Sequence, residues 1–124
     1  MPLEIDVELN CGHQSAQVIS KIAERLPDSY CWVTRGEAEN LFISLEEYPN
    51  PITQLDKAVI SFLNGLLNIK QEIILLNASL RIGLFYQLSE TVICPVMLSK
   101  SCMNLICQFG LDLDISGYLC GDDE

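Results

Sequence analysis

The chain reads as an α+β domain, a mixed and mainly antiparallel sheet of five to seven strands with about three helices packed on it. Three observations carry this expectation. Leu3, Ile5, Val7 and Leu9 alternate with Glu4, Asp6 and Glu8, the period of a half-buried strand. Apolar residues between Thr53 and Asn68 instead form a broad stripe of helical period. The two patterns interleave along the chain with short links, which favours antiparallel pairing of neighbouring strands.

Asn10-Cys11-Gly12 ends the first strand. Ser15 to Leu26 follows as a helix with Val18, Ile19, Ile22 and Leu26 on one face, stopped by Pro27-Asp28. Tyr30 to Thr34, aromatic and β-branched, is a strand; Arg35-Gly36-Glu37 turns the chain into a third strand marked by Leu41, Ile43 and Leu45. Glu46 to Pro51 reads as a loop.

The helix over 53–68 opens on Thr53 with Asp56 three residues later, a variant of the capping box. Gly65 interrupts it at about 1 kcal/mol relative to Ala, which marks it for close packing. The run Ile73 to Leu76 is expected to be an internal strand, Asn77-Ala78-Ser79 a turn, and Leu80 to Leu88 the next strand. Pro95 demotes Val92 to Leu98 to an edge or extended segment. Ser99 caps a helix running to Phe109, Gly110 terminates it, and Leu111, Leu113 and Ile115 alternate with Asp112 and Asp114 in a last strand. The first six elements, β-α-β-β-α-β, have the order of a split β-α-β unit.

At 124 residues the chain is one domain, 1–124, and roughly two thirds of its unfolded surface can be buried without a metal or disulfide. Seventeen acidic residues against seven basic ones leave a net charge of −10. That balance excludes nucleic acid, whose phosphates demand clustered Lys and Arg, and equally an anionic membrane surface. It fits either simple solubility or a basic protein partner. The N-terminus lacks the basic and apolar regions of a secretory signal, and no run reaches the roughly 18 apolar residues of a membrane span. Six cysteines without a C-x-x-C pair point to free thiols in a cytoplasmic protein.

Catalytic chemistry has one candidate. Cys11 lies two residues from His13, the only histidine, but no third group orients the base and two residues in one turn rarely meet productively. The bland reading is a turn cysteine beside an exposed histidine, and no enzyme activity is expected. Asp112, Asp114, Asp122, Asp123 and Glu124 lack the spacing of a calcium loop, so neither metal nor other cofactor is expected. The acidic clusters are the stronger signal. Glu4, Asp6 and Glu8 project from one side of one strand, and Asp112 and Asp114 from another. Glu37, Glu39, Glu46 and Glu47 form a second cluster in and beside loops. If the two strands are neighbours, their carboxylates crowd, and a cationic partner would relieve them.

Leu98-Ser99, Leu105, Phe109-Gly110-Leu111-Asp112-Leu113-Asp114-Ile115 and Tyr118 together resemble the end of a family of small bacterial domains of unassigned function. Trp32 with Arg35-Gly36-Glu37, the helix over 53–68 and the strand over 80–86 are similar to its earlier part, so the resemblance spans about residues 32–118. Such domains resemble the immunity proteins of contact-dependent inhibition and related toxin systems. The resemblance implies a protein that binds a cognate toxin domain, most often a nuclease, through carboxylates that cover its basic substrate site. The class carries no shared catalytic residues. A self-associating or adaptor domain, forming a homodimer through a sheet edge, is the alternative.

Overall fold

The computed structural model describes residues 3–11, 15–35, 40–45, 54–86 and 96–119. Strand β1 (Leu3–Asn10) leads to helix α1 (Ser15–Glu24), then the hairpin strands β2 (Tyr30–Arg35) and β3 (Asn40–Leu45). Helix α2 (Leu55–Asn64), a 3-10 turn (Leu67–Ile69) and helix α3 (Lys70–Leu75) precede strand β4 (Asn77–Tyr86). Helix α4 (Lys100–Gln108) then crosses to strand β5 (Asp112–Leu119).

The five strands form one mixed sheet in the order β2-β3-β1-β4-β5. β1 is antiparallel to both β3 and β4, β2 is antiparallel to β3, and β5 joins β4 in parallel. The first four strands therefore have the topology of the split β-α-β unit that their order suggested, and β5 extends it at one edge. A parallel neighbour requires a crossover rather than a hairpin, and α4 supplies it.

Alternation along β1 decides which face is covered. Leu3, Ile5, Val7 and Leu9 are buried, as are Leu41 and Ile43 beside them in β3 and Ala78, Leu80, Ile82 and Leu84 in β4. These residues form one core with Ile19 and Ile22 of α1, Val59, Phe62 and Leu63 of α2, Ile73 of α3 and Cys102 and Ile106 of α4. All four helices thus lie on the same side, and the opposite side of the sheet carries no helix among the described residues. Fully burying a Leu, Ile, Val or Phe side chain is worth about 1.5–3 kcal/mol before entropy is counted.

The largest departure from the sequence reading falls between 64 and 80. Instead of one helix to Asn68 and a strand at Ile73 to Leu76, the chain breaks after Asn64, makes a 3-10 turn and re-enters a helix that ends at Leu75. Leu66, Ile69 and Ile73 point inward at spacings of three and four, while Leu75 is 82% exposed. A four-residue apolar run is compatible with either period, and its upstream partners decided for the helix. The expected turn at Asn77-Ala78-Ser79 is instead the start of β4, paired with Asn10, Leu9 and Glu8. The long β1 offers partners for those residues, so the ladder begins there. Five strands and four helices result among the described residues, close to the expected five to seven strands and about three helices.

Leu113 and Ile115 alternate with Asp112 and Asp114 in β5 as read. The two apolar residues lie on the helix-covered side but remain 42% and 39% exposed, because β5 is an edge strand with a neighbour on one side only. Val96 to Leu98 form no strand; the rest of that expected segment, like Leu88, lies outside the described residues.

Local signals at the helix ends are partly as read. Ser99 caps α4 by accepting from the Cys102 backbone N–H at 3.1 Å, and Gly110 follows with φ 65°, the left-handed conformation that glycine tolerates. Thr53 lies outside the described residues. The residue before α2 is Gln54, which makes no side-chain cap, and Asp56 works elsewhere: its Oδ1 accepts from the Ser99 backbone N–H at 2.6 Å. The α2 carboxylate therefore sits at the start of α4, where it satisfies an otherwise unpaired donor and meets the favourable end of the helix dipole. The Cys102 thiol beside it is pushed up to about 11, first by burial and then by Asp56. Arg25, just beyond α1, donates to the Glu72 carboxylate and to the Asn68 carbonyl, tying α1 to the segment that leads into β4.

Gly65 does mark close packing. Its φ of −71° is ordinary, so conformation does not require glycine. Space does: a Cβ there would sit 2.1 Å from the Tyr30 hydroxyl oxygen. Tyr30 reaches across from β2, donates to the Phe62 carbonyl at 2.5 Å and packs its ring 5.4 Å from that of Phe62. Gly65→Ala is expected to destabilise the fold by about 1–3 kcal/mol through overpacking. Combined with Tyr30→Phe, which removes the nearest atom, the loss should be smaller than the sum of the two single variants. Chemical denaturation of the four proteins checks this.

Candidate functional site

The uncovered side of the sheet gathers residues that alternate with the core. β1 contributes Glu4, Asp6 and Glu8; β3 contributes Asn40, Phe42 and Ser44; β4 contributes Arg81, Gly83 and Phe85. β2 adds Val33 and Arg35 at one edge, and β5 adds Asp112, Asp114, Ser116 and Tyr118 at the other. The five described carboxylates expected to act together from β1 and β5 do share this face. Glu37, Glu39, Glu46 and Glu47 lie outside the described residues.

The expected crowding between the two acidic strands is relieved by the strand order. β4 lies between β1 and β5, and Arg81 stands opposite Asp6 on one side and Asp114 on the other. Its side chain chooses β1: Nε lies 3.6 Å from Asp6 Oδ1, and Nη1 lies 3.8 Å from Glu8 Oε1. The guanidinium continues over β1 to the Phe42 ring, 5.2 Å from its centroid. Arg35 approaches the same ring from β2 at 5.5 Å. Both cations of the face therefore converge on one aromatic ring, a cation–π arrangement. Among the described residues, Glu4, Asp112 and Asp114 have no ion pair within 4 Å.

Charge is segregated between the layers. Of the seven basic residues, only Arg35 and Arg81 lie on the open face, against five carboxylates. Lys21, Arg25, Lys57, Lys70 and Lys100 lie on or beside the helices, against Glu24, Asp28, Asp56 and Glu72. The open face is thus net −3 and the helical layer net +1 among the described residues. The chain's other eight acidic residues lie outside them, which completes the −10.

Asp6 occupies the centre of the face. Its carboxyl is held above the usual value of 3.8, first by burial among its neighbours and further by Glu8 and Glu4, while Arg81 and Arg35 pull the other way. Its Oδ1 accepts no hydrogen bond, since the Arg81 contact is too long for one. Glu8 fares better, because Asn40 Nδ2 donates to its Oε2 at 2.9 Å. Two grooves flank β1. One, of about 360 Å³, runs between β1 and β5 over Gly83; the other, of about 280 Å³, lies toward β2 beside Phe42.

Cys11 is buried, and its thiol donates to the Leu9 carbonyl at 3.9 Å; His13 lies outside the described residues. No group of three or more His, Cys, Asp or Glu residues that could hold a metal ion occurs among the described residues. The described cysteines, 11, 31, 102 and 107, are free thiols. Sequence reasoning found the acidic strands but not Phe42, Gly83 or the Phe85–Tyr118 pair. Phe85 is an apolar residue on the polar side of its strand's alternation, which is the available signal.

The raised pKa of Asp6 has a definite sign in stability. Its favourable contribution is complete below the unfolded value of 3.8 and is lost as pH rises through the higher folded value. Asp6→Asn is therefore expected to raise the melting temperature at pH 7. The gain over wild type should shrink as pH falls through the carboxyl's titration and vanish below 3.8. Thermal denaturation of both proteins across pH 3–7 checks this, and a gain that persists at low pH would contradict the assignment.

No single helix among the described residues is long and apolar enough to cross a membrane; α2 and the segment through α3 pass such a test only jointly, bent by 54°. Comparison with known proteins gives no match to the chain among family models, curated proteins or solved structures.

Proposed function

We propose that this protein is a cytoplasmic, non-catalytic binding module that covers the basic surface of a partner protein, as an immunity protein covers the substrate site of a cognate nuclease toxin. The segregation of charge carries the reading. A sheet face normally covered by a second layer carries none among the described residues, and five carboxylates lie on that face while most of the cations lie on the helical side. A surface of this kind steers a basic partner during encounter and repels nucleic acid. The rigid ladder beneath holds the carboxylates in fixed register, so little order is lost on binding.

Co-expression with the C-terminal domain of a toxin encoded immediately upstream tests the reading in cells. Protection from growth arrest is expected, and its absence would remove the immunity role. In vitro, reversing Glu4 and Asp114 to Lys should slow association about tenfold or more at low ionic strength, with the difference shrinking as salt is added. Circular dichroism should show the same fold, because both side chains are exposed. An unchanged association rate would move the interface off this face.

A second reading has one observation in its favour. Among the described residues β5 pairs only with β4, and Leu113 and Ile115 remain partly exposed along its free edge. Unpaired edges of this kind recruit another strand. Sedimentation velocity separates the two readings: a dimer that Leu113→Lys converts to monomer would favour edge-to-edge self-association.

A further inference from the structure

We propose that the groove over Gly83 is a socket for one arginine side chain of the basic partner, an inference that rests on the reading of the open face as the docking surface. Gly83 lies between Glu4 of β1 and Ser116 of β5, its register partners on either side. Strands are spaced about 4.8 Å apart, so the residues flanking Gly83 stand about 10 Å from one another across a position with no side chain. Downstream, Phe85 and Tyr118 close one end of the slot with a stacked pair, centroids 4.9 Å apart and planes 18° apart. Glu4, Asp6, Glu8 and Asp114 line the same groove against one cation, Arg81, so its charge is net negative.

Nothing in the fold demands glycine at 83. Its backbone is outside the left-handed region, which among the described glycines holds only Gly110. A Cβ would make ordinary contacts, 3.4 Å to the rings of Phe85 and Tyr118 and 3.9 Å to the Glu4 Cβ. Glycine inside a strand weakens it, and such a residue commonly marks close approach by a ligand. Here the absence of a side chain lets the Phe85 and Tyr118 rings lean over the strand and line the groove.

The choice of arginine follows from charge and shape. Arg81 also lines this groove, but its ion pairs go to Asp6 and Glu8 and its guanidinium lies over Phe42, so among the described residues Glu4 and Asp114 have no ion pair. A planar guanidinium can stack on the aromatic pair while donating in its plane to a carboxylate, which a lysine ammonium cannot do. On the neighbouring part of the face the Arg35 and Arg81 guanidiniums already lie over the Phe42 ring, 5.5 and 5.2 Å from its centroid.

Hexa-arginine and hexa-lysine peptides, titrated into the full chain labelled with 15N, test the socket. Hexa-arginine is expected to shift the amides of Gly83, Ser116 and Tyr118 and to bind about fivefold more tightly than hexa-lysine. Gly83→Val, whose branches press on the Phe85 and Tyr118 rings and fill the slot, should abolish that preference, with circular dichroism at the assay temperature showing the fold kept. Tyr118→Ala, on the exposed edge strand, should reduce the preference independently. Equal binding of the two peptides, or a preference untouched by both variants, would overturn the socket while leaving a basic partner in place. Failure of either peptide to perturb any residue of the sheet face would overturn both the socket and the docking surface.

Discussion

Strand β1 is the constraint on which the rest depends. It is central, paired along its length with β4 and over half of it with β3, and every second side chain is in the core. A strand with period-two burial cannot slip by one residue without exchanging its apolar and acidic faces. Leu3, Ile5, Val7 and Leu9 therefore lock Glu4, Asp6 and Glu8 outward as firmly as they lock themselves inward. The four described helices gather on the apolar side because their own stripes need that surface, and among the described residues the acidic side carries no helix as a consequence.

The open face is not a uniform sheet of negative charge. Strand order places Arg81 between the two acidic strands, yet its guanidinium joins Arg35 at Phe42 and leaves Asp112 and Asp114 without an ion pair among the described residues. Polarisation within the face follows from one aromatic residue on β3 and from the missing side chain at Gly83. The same geometry explains Asp6, whose carboxyl is shielded by neighbours of both signs and is held partly against ionisation. Charge of this kind is tolerated because the face remains in contact with water. It also makes the face the part of the molecule with most to gain from a cationic partner.

Much of the architecture was legible because burial follows period. The strands at 3–10, 30–35 and 40–45 and the helix at 15–24 announce themselves by alternation or by a 3.6-residue stripe, and the Ser99 cap and Gly110 stop work as their chemistry suggests. Ile73 to Leu76 was misread because four apolar residues suit either period, and only the packing of Leu66, Ile69 and Ile73 against the sheet resolves it. Asp56 was assigned to its own helix, whereas it serves Ser99, a residue 43 positions away. Long-range hydrogen bonds of that sort leave no local pattern to read.

By itself the sequence determined the α+β class, the identity of the acidic strands and the outward direction of their carboxylates, because each depends on local alternation and composition. Tertiary structure alone decided that β4 separates β1 from β5, that Arg81 turns toward Phe42, and that Gly83, Phe85 and Tyr118 meet Glu4 and Asp114 around one groove. Those relations depend on which strands become neighbours. That is set by how the whole chain buries its apolar faces together, and no single segment carries the information.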